Sequence, residues 1–225
     1  MDLENVMRTT GAVREFRDEP VSDDVLVRIF ELARFAPSGG NRQGWHVILA
    51  RDPAVRARIA ELTRDGFREY SAYVAAGRVP FAPGDDGRWH GTPPDVDVAK
   101  VETHSAFVEG LLDAPVLAVL CADLRALAVT DIDLDRQSIV GGASIYPFAQ
   151  NVLLAARDNG VGGVMTTFLC RREPQIKELL GLKAHHAVAA LLVLGYPVRM
   201  PTRLRRGEVE EFVTIDTIDG TPFNA

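Results

Sequence analysis

The sequence predicts an α+β fold with one mixed sheet. Three observations carry that expectation. Two early stretches repeat apolar residues at helical spacing: Val25, Ile29, Leu32 and Ala33 in the first, Val55, Ile59, Leu62 and Phe67 in the second. Two continuous apolar runs, 114–122 and 187–195, have the length and composition of buried central strands. Helices come first along the chain and strands separated by helices follow, an order that gives α+β.

Residues 3–10 form a short amphipathic stretch that Gly11 can stop. Ser22 is a good N-cap, Asp23 and Asp24 sit at the positive end of the helix dipole, and the helix must end before Pro37. Residues 45–50 are β-rich, and Asp52-Pro53 restarts a helix with proline at its first position. The arginines of that second helix read as a solvated outer face. Residues 80–94 hold seven Pro or Gly in fifteen positions, which argues against any packed element and predicts a lid-like excursion at about 78–104. Trp89 and His90 lie at its middle, where an aromatic either covers a ligand or anchors the loop.

Tyr146-Pro147 opens or kinks a helix to about residue 158 that is apolar almost all round, with Gly160 as its stop. Residues 162–167 make a glycine turn into a short strand, and Glu173-Pro174 opens a short helix ending at Gly181. Phe212 to Ile218 alternates apolar and polar residues, as an edge strand does. With neither repeat nor linker, residues 1–225 read as a single domain.

The chain has 225 residues, 47% hydrophobic and 25% charged, the balance of a globular protein with a proper core. A net charge of −6 argues against general nucleic-acid binding. Cys121 and Cys170 have no metal-ligand spacing and read as core thiols of a reducing compartment. The first residues lack an apolar signal core and no apolar run would span a bilayer, so a cytoplasmic protein without a membrane partner is expected. His185 and His186 precede a strand, where neighbouring side chains point to opposite faces, so no shared metal is expected. No Gly-x-Ser-x-Gly, His-Glu-x-x-His or phosphate-loop pattern is present.

The most informative run is Ala-Pro-Ser-Gly-Gly-Asn-Arg-Gln-Gly-Trp at 36–45. A Pro-Ser-Gly-Gly turn exposes backbone N–H groups and lets a flat ligand approach. Asn41 and Gln43 each carry donor and acceptor, suiting the mixed edge of a heteroaromatic ring. The alternative is a plain helix-to-strand loop. Small residues, carboxamides and arginines without an acid–base pair point to a cofactor that supplies the chemistry.

Several ordered segments carry a resemblance. They are Thr-Gly-Ala-Val-Arg-Glu-Phe at 10–16, the run at 36–45, Tyr146-Pro147, Gln-Asn-Val-Leu-Leu-Ala-Ala at 150–156 and Gly-Val-Gly at 160–162. Val-Met-Thr-Thr at 164–167, Leu-Gly-Tyr-Pro at 194–197 and Arg205-Arg206 complete the order. Across nearly its whole length the chain resembles the nitroreductase family of FMN-dependent oxidoreductases.

The resemblance implies a nitroreductase-like fold: a central mixed, mostly antiparallel sheet flanked by helices, with a carboxy-terminal arm extending onto the partner subunit of a homodimer. It implies FMN as cofactor and NADH or NADPH as reductant. A small-molecule electron acceptor, nitroaromatic, quinone or similar, would be reduced in a ping-pong scheme. The site it implies starts with Gly11, Ala12, Val13 and Arg14 in the phosphate motif, helped by Arg205 or Arg206. Pro37, Ser38 and Gly39 would lie against the neighbouring subunit's flavin, Asn41 and Gln43 at its ribityl or ring region, and Met165, Thr166 and Thr167 around the isoalloxazine. Flavin N5 would carry the chemistry, with no catalytic side chain and no metal, and Trp89 and His90 would face substrate from the lid.

The chain departs from the pattern at two places. Thr10 and Gly11 stand where arginines are usual, which leaves Arg8 or Arg206 to reach the phosphate, and Gly44 replaces a proline. Alternatives within the same resemblance are reductive dehalogenation, flavin fragmentation, or a flavin-sequestering module without turnover.

Overall fold

The computed structural model of the chain describes residues 1–102 and 105–223, so the last two positions of the 78–104 excursion, Thr103 and His104, lie outside the described residues, as do Asn224 and Ala225. Four strands, β1 (Trp45–Ala50), β2 (Val116–Asp123), β3 (Gly162–Thr166) and β4 (His186–Gly195), form one sheet in the order β1-β2-β4-β3. All three strand pairs are antiparallel. A parallel bridge from Ala12 to Gly163 makes the sheet mixed.

The two apolar runs become the central strands because both of their faces are covered. Ala118 and Leu120 of β2, with Ala190, Leu192 and Leu194 of β4, pack under α2 (Asp23–Ala33) and α5 (Tyr146–Asp158). Leu117, Val119, Leu191 and Val193 face the opposite layer of α3 (Pro53–Ala75), α4 (Ala106–Glu109) and α6 (Glu173–Leu180). The short helix α1 (Leu3–Thr9) lies beside α5. Burial of this kind contributes about 25 cal/mol per Å² of apolar area removed from water.

Helix ends follow the residues that mark them. The Ser22 hydroxyl accepts from Val25 N–H at 3.4 Å, and Asp52 accepts from Ala54 and Val55 N–H at 2.8 and 3.1 Å. Gly181 takes the left-handed conformation that stops α6, at φ +65°.

Three expectations change. Residues 212–218 form no strand: Asp216 adopts φ +65°, and Ile215 N–H donates to Thr221 O at 2.9 Å, so the segment folds into a turn closed by a Thr214–Pro222 bridge. Helix α5 is amphipathic, with Tyr146, Gln150 and Asp158 exposed. The 80–94 excursion does join a small core: Phe81 packs 5.0 Å from Tyr73, alongside buried Val96. Pro and Gly there bend the chain around a few apolar residues instead of excluding packing.

Helix α3 reaches the turn Phe168–Arg172 through Gly66, where a Cβ would overlap the Phe168 carbonyl. Gly66→Ala should therefore destabilise the fold by about 1–3 kcal/mol, despite the better helix propensity of alanine. Urea unfolding monitored by circular dichroism measures this; a gain in stability would contradict the close approach.

Candidate functional site

Arg14 is placed by the chain around it. Gly11 has no room for a side chain, since a Cβ there would lie 2.8 Å from Leu204 Cδ2 and 2.9 Å from Pro201 Cβ. Val13 is buried, and its N–H donates to Gly163 O at 2.9 Å. Arg14 then emerges, exposed, beside the end of β3. Together with Met165, Thr166 and Thr167 it lines a cavity of about 330 Å³. Phe67, Tyr70 and Phe168 form its aromatic wall, with Phe67 and Tyr70 stacked at 5.7 Å and Phe168 edge-on to both.

Arg205 and Arg206 are exposed and follow Leu204, the residue packed on Gly11. Arg8 Nε lies 2.9 Å from Glu4 Oε1 in an exposed helical pair.

The 36–45 run is a tight left-handed turn. Gly40, Asn41 and Gln43 have φ of +61°, +54° and +49°. For Asn and Gln such angles are uncommon, and hydrogen bonds hold them. Ser38 Oγ accepts from Gln43 N–H at 2.9 Å, and Gln43 Nε2 donates to Asn41 Oδ1 at 3.2 Å. The Gly39 N–H donates to buried Ser144 Oγ at 3.0 Å, tying the turn to the segment before α5. Residues of that segment help to line a second cavity, of about 640 Å³. Arg14 and residues 165–167 thus share the first cavity, while residues 38–43 line neither and are tied through Gly39 to Ser144, whose neighbours Ala143 and Ile145 line the second.

Trp89 and His90 lie in neither lining. The Trp89 ring sits 5.0 Å from the Arg171 guanidinium, which also covers Phe81 at 5.5 Å, and Arg171 Nε meets Glu69 Oε2 at 2.9 Å. His90 Nε2 closes a local turn on Asp86 at 3.0 Å.

The profile of the Nitroreductase family matches residues 7–196. The chain belongs to that family of oxidoreductases. It is 26% identical over 231 residues to the nitrobenzene nitroreductase of Ectopseudomonas oleovorans, covering 94% of this chain and 96% of the relative. Identity to iodotyrosine deiodinase 1 of Rattus norvegicus is 27% over 192 residues, 85% of this chain and 60% of that protein's length. A crystal structure of oxidized iodotyrosine deiodinase bound to FMN and 3-iodo-L-tyrosine shares the fold, with a TM-score of 0.67 at 18% identity over 96% of this chain and 100% of that one. Among the described residues no helix is long and apolar enough to cross a membrane.

Other groups of this nitroreductase-family chain are committed to structure. The rings of His185 and His186 lie 4.4 Å apart, and with Asp123 they bring three ligand atoms within 4.8 Å of one another. Alternation does not separate them, because β4 begins only at His186. However, Arg125 clamps Asp123 through Nε–Oδ1 and Nη2–Oδ2 contacts of 3.0 and 2.7 Å, and holds its carboxyl far below the usual range. Lys183 N–H donates to His186 Nδ1 at 3.2 Å, whereas a metal-bound imidazole donates from its second nitrogen. Burial pushes the Cys121 and Cys170 thiols up to about 11, so neither is an activated nucleophile.

Asp131 gave no signal in the sequence, where it stands in an ordinary acidic stretch. It is 3% exposed and accepts from Ile139 N–H at 2.8 Å, Ser138 Oγ at 2.8 Å and Arg136 Nη1 at 2.7 Å. The Ile139 amide first, then the Ser138 and Arg136 donors, hold its carboxyl well below the ordinary range. It thereby fixes residues 137–139 of the larger cavity's wall.

A depressed folded pKa means that the anchoring is complete above the unfolded aspartate value of about 3.9 and is lost as pH falls through the lower folded value. Wild-type loop order should hold from pH 7 down to about 4, and Asp131→Asn should loosen it already at pH 7. The readout is amide exchange at Ile139, expected to quicken roughly tenfold in the variant; an unchanged rate would remove Asp131 from this role.

Proposed function

We propose that the chain is an FMN-dependent oxidoreductase, a single domain over residues 1–225, that takes electrons from NADH or NADPH. An electron-poor acceptor, nitroaromatic, quinone or similar, would then be reduced in a ping-pong scheme. The observation that carries this reading is the meeting of Arg14 with Met165, Thr166 and Thr167 in one cavity, from segments far apart in sequence.

The donor set fits the cofactor. A guanidinium fork matches phosphate geometry, the threonine hydroxyls offer hydrogen bonds to a polar ring edge, and the aromatic wall suits a flat ring system. FMN, when bound, supplies hydride transfer between reductant and acceptor. Arg14 would hold the phosphate within the 11–14 segment, and Leu204 on Gly11 would deliver Arg205 and Arg206 to the same side. The bond from Gln43 to Asn41 leaves one amide donor group and one carbonyl for a ligand edge. As none of these residues lines the Arg14 cavity, Pro37, Ser38, Gly39, Asn41 and Gln43 would serve the flavin of a second copy in a homodimer. The excursion anchored by Trp89 would flank the flavin on the side of the Arg14 cavity.

Similarity to iodotyrosine deiodinase favours reductive dehalogenation as the second reading. Purified protein should be yellow, and anaerobic NADH or NADPH should bleach it. Reoxidation by nitrobenzene supports the first reading, and loss of iodide from 3-iodotyrosine the second. A flavin that neither nicotinamide bleaches would leave a flavin-sequestering module, and protein that binds no FMN would sink the proposal.

Arg14→Ala should weaken FMN binding by about 2–3 kcal/mol, as loss of a charge-assisted contact does. Fluorescence titration with FMN measures it, and unchanged affinity would move the phosphate site elsewhere.

A further inference from the structure

The cavity of about 640 Å³ is within the usual size of small-molecule sites, and among the described residues no charged side chain lines it. Leu124, Leu127, Ile139 and Ala187 give apolar walls. Its polar side chains are Gln137, Ser138 and Tyr146. Ser138 Oγ already donates to Asp131 Oδ1 at 2.8 Å.

Tyr146 differs. It is 42% exposed, and its ring lies over Gly142, where a Cβ would come 3.1 Å from Tyr146 Cδ2. Its hydroxyl donates to Ala189 O at 3.4 Å, at the long limit of a hydrogen bond, so a better acceptor can replace that carbonyl. Partial burial pushes the phenol up from its ordinary value, which keeps it a donor at neutral pH. Gly39 N–H is bonded to Ser144, whose neighbours Ala143 and Ile145 line the cavity, which places the turn assigned to the flavin next to it.

We propose that Tyr146 determines acceptor choice, its hydroxyl donating to the carbonyl or nitro oxygen of a neutral aromatic molecule seated in this cavity. The inference rests on the oxidoreductase reading above and names the class of acceptor. An anion would enter without a charge partner, at a desolvation cost that the uncharged walls do not offset.

The test uses full-length wild type and Tyr146→Phe. Menadione is the neutral probe and 4-nitrobenzoate the anionic one. In Tyr146→Phe the KM for menadione should rise about fivefold with kcat preserved, the loss of one neutral hydrogen bond. Calorimetric affinity of menadione for the oxidised protein, without reductant, should fall by the same factor. Wild type should favour menadione over 4-nitrobenzoate at least tenfold in kcat/KM, an order-of-magnitude expectation from unpaired-charge burial. Unchanged KM and affinity in the variant, or a preference for 4-nitrobenzoate, would overturn the inference. Failure of NADH and NADPH to bleach the wild-type flavin strikes the underlying reading instead, and the calorimetric arm still reports on Tyr146 by itself.

Discussion

The hydrogen bond from Val13 N–H to Gly163 O, with the parallel bridge at Ala12, is the contact on which the site depends. It lays the segment after α1 along the edge strand β3. Glycine makes it possible: a Cβ on Gly162 would lie 2.7 Å from Val13 Cγ2, and one on Gly163 would lie 2.5 Å from Leu194 Cδ2. A larger residue at 162 would push the two segments apart, and one at 163 would crowd Leu194 and Leu153. Two further bonds bracket the register, Arg17 N–H to Tyr196 O at 2.8 Å and Val198 N–H to Glu15 O at 3.1 Å. Arg14 is therefore held beside Thr166 by backbone, and its exposed side chain stays available for a ligand.

A second constraint lies where the chain leaves that strand. Glu69 is almost fully buried and meets both Arg171 and Arg172, at 2.9 and 2.5 Å. A buried carboxylate is tolerated only when paired in this way, so the pair fixes α3 against the turn that follows Thr167. Arg171 then stacks on Phe81 and Trp89 and carries the same constraint into the 80–94 excursion. The loop is thus referenced to the strand that bears the threonines, and Trp89 works as its anchor.

Much of the architecture was legible because local signals agreed with the global fold. Residues 114–122 and 187–195 could only be buried strands, Ser22 and Asp52 marked helix starts, and Gly181 marked a stop. Residues 212–218 misled because alternation is a necessary sign of a half-buried strand and an insufficient one; turn bonds at Ile215 and Gly220 outweighed it. The grouping of Arg14 with Thr166 and Thr167 came from resemblance, since no local pattern links positions so distant. The cavity beside Tyr146 was invisible for the same reason, while Asp131 was missed because its donors, within the next nine residues, follow no recognisable motif.

Gly11 links two features that look separate in the sequence. Leu204 and Pro201 occupy the space a side chain at this position would need, so the arm can lie on the segment only because the usual arginine is gone. The same packing sets Arg205 and Arg206 immediately beyond Leu204. Arg8, one turn earlier in α1, pairs with Glu4 on the exposed face of its helix. On the proposed reading, positive charge removed from the amino-terminal segment returns through the arm. Phosphate binding and docking of the arm then become one event: lifting the arm withdraws two guanidinium groups, and a bound phosphate favours the docked state through them.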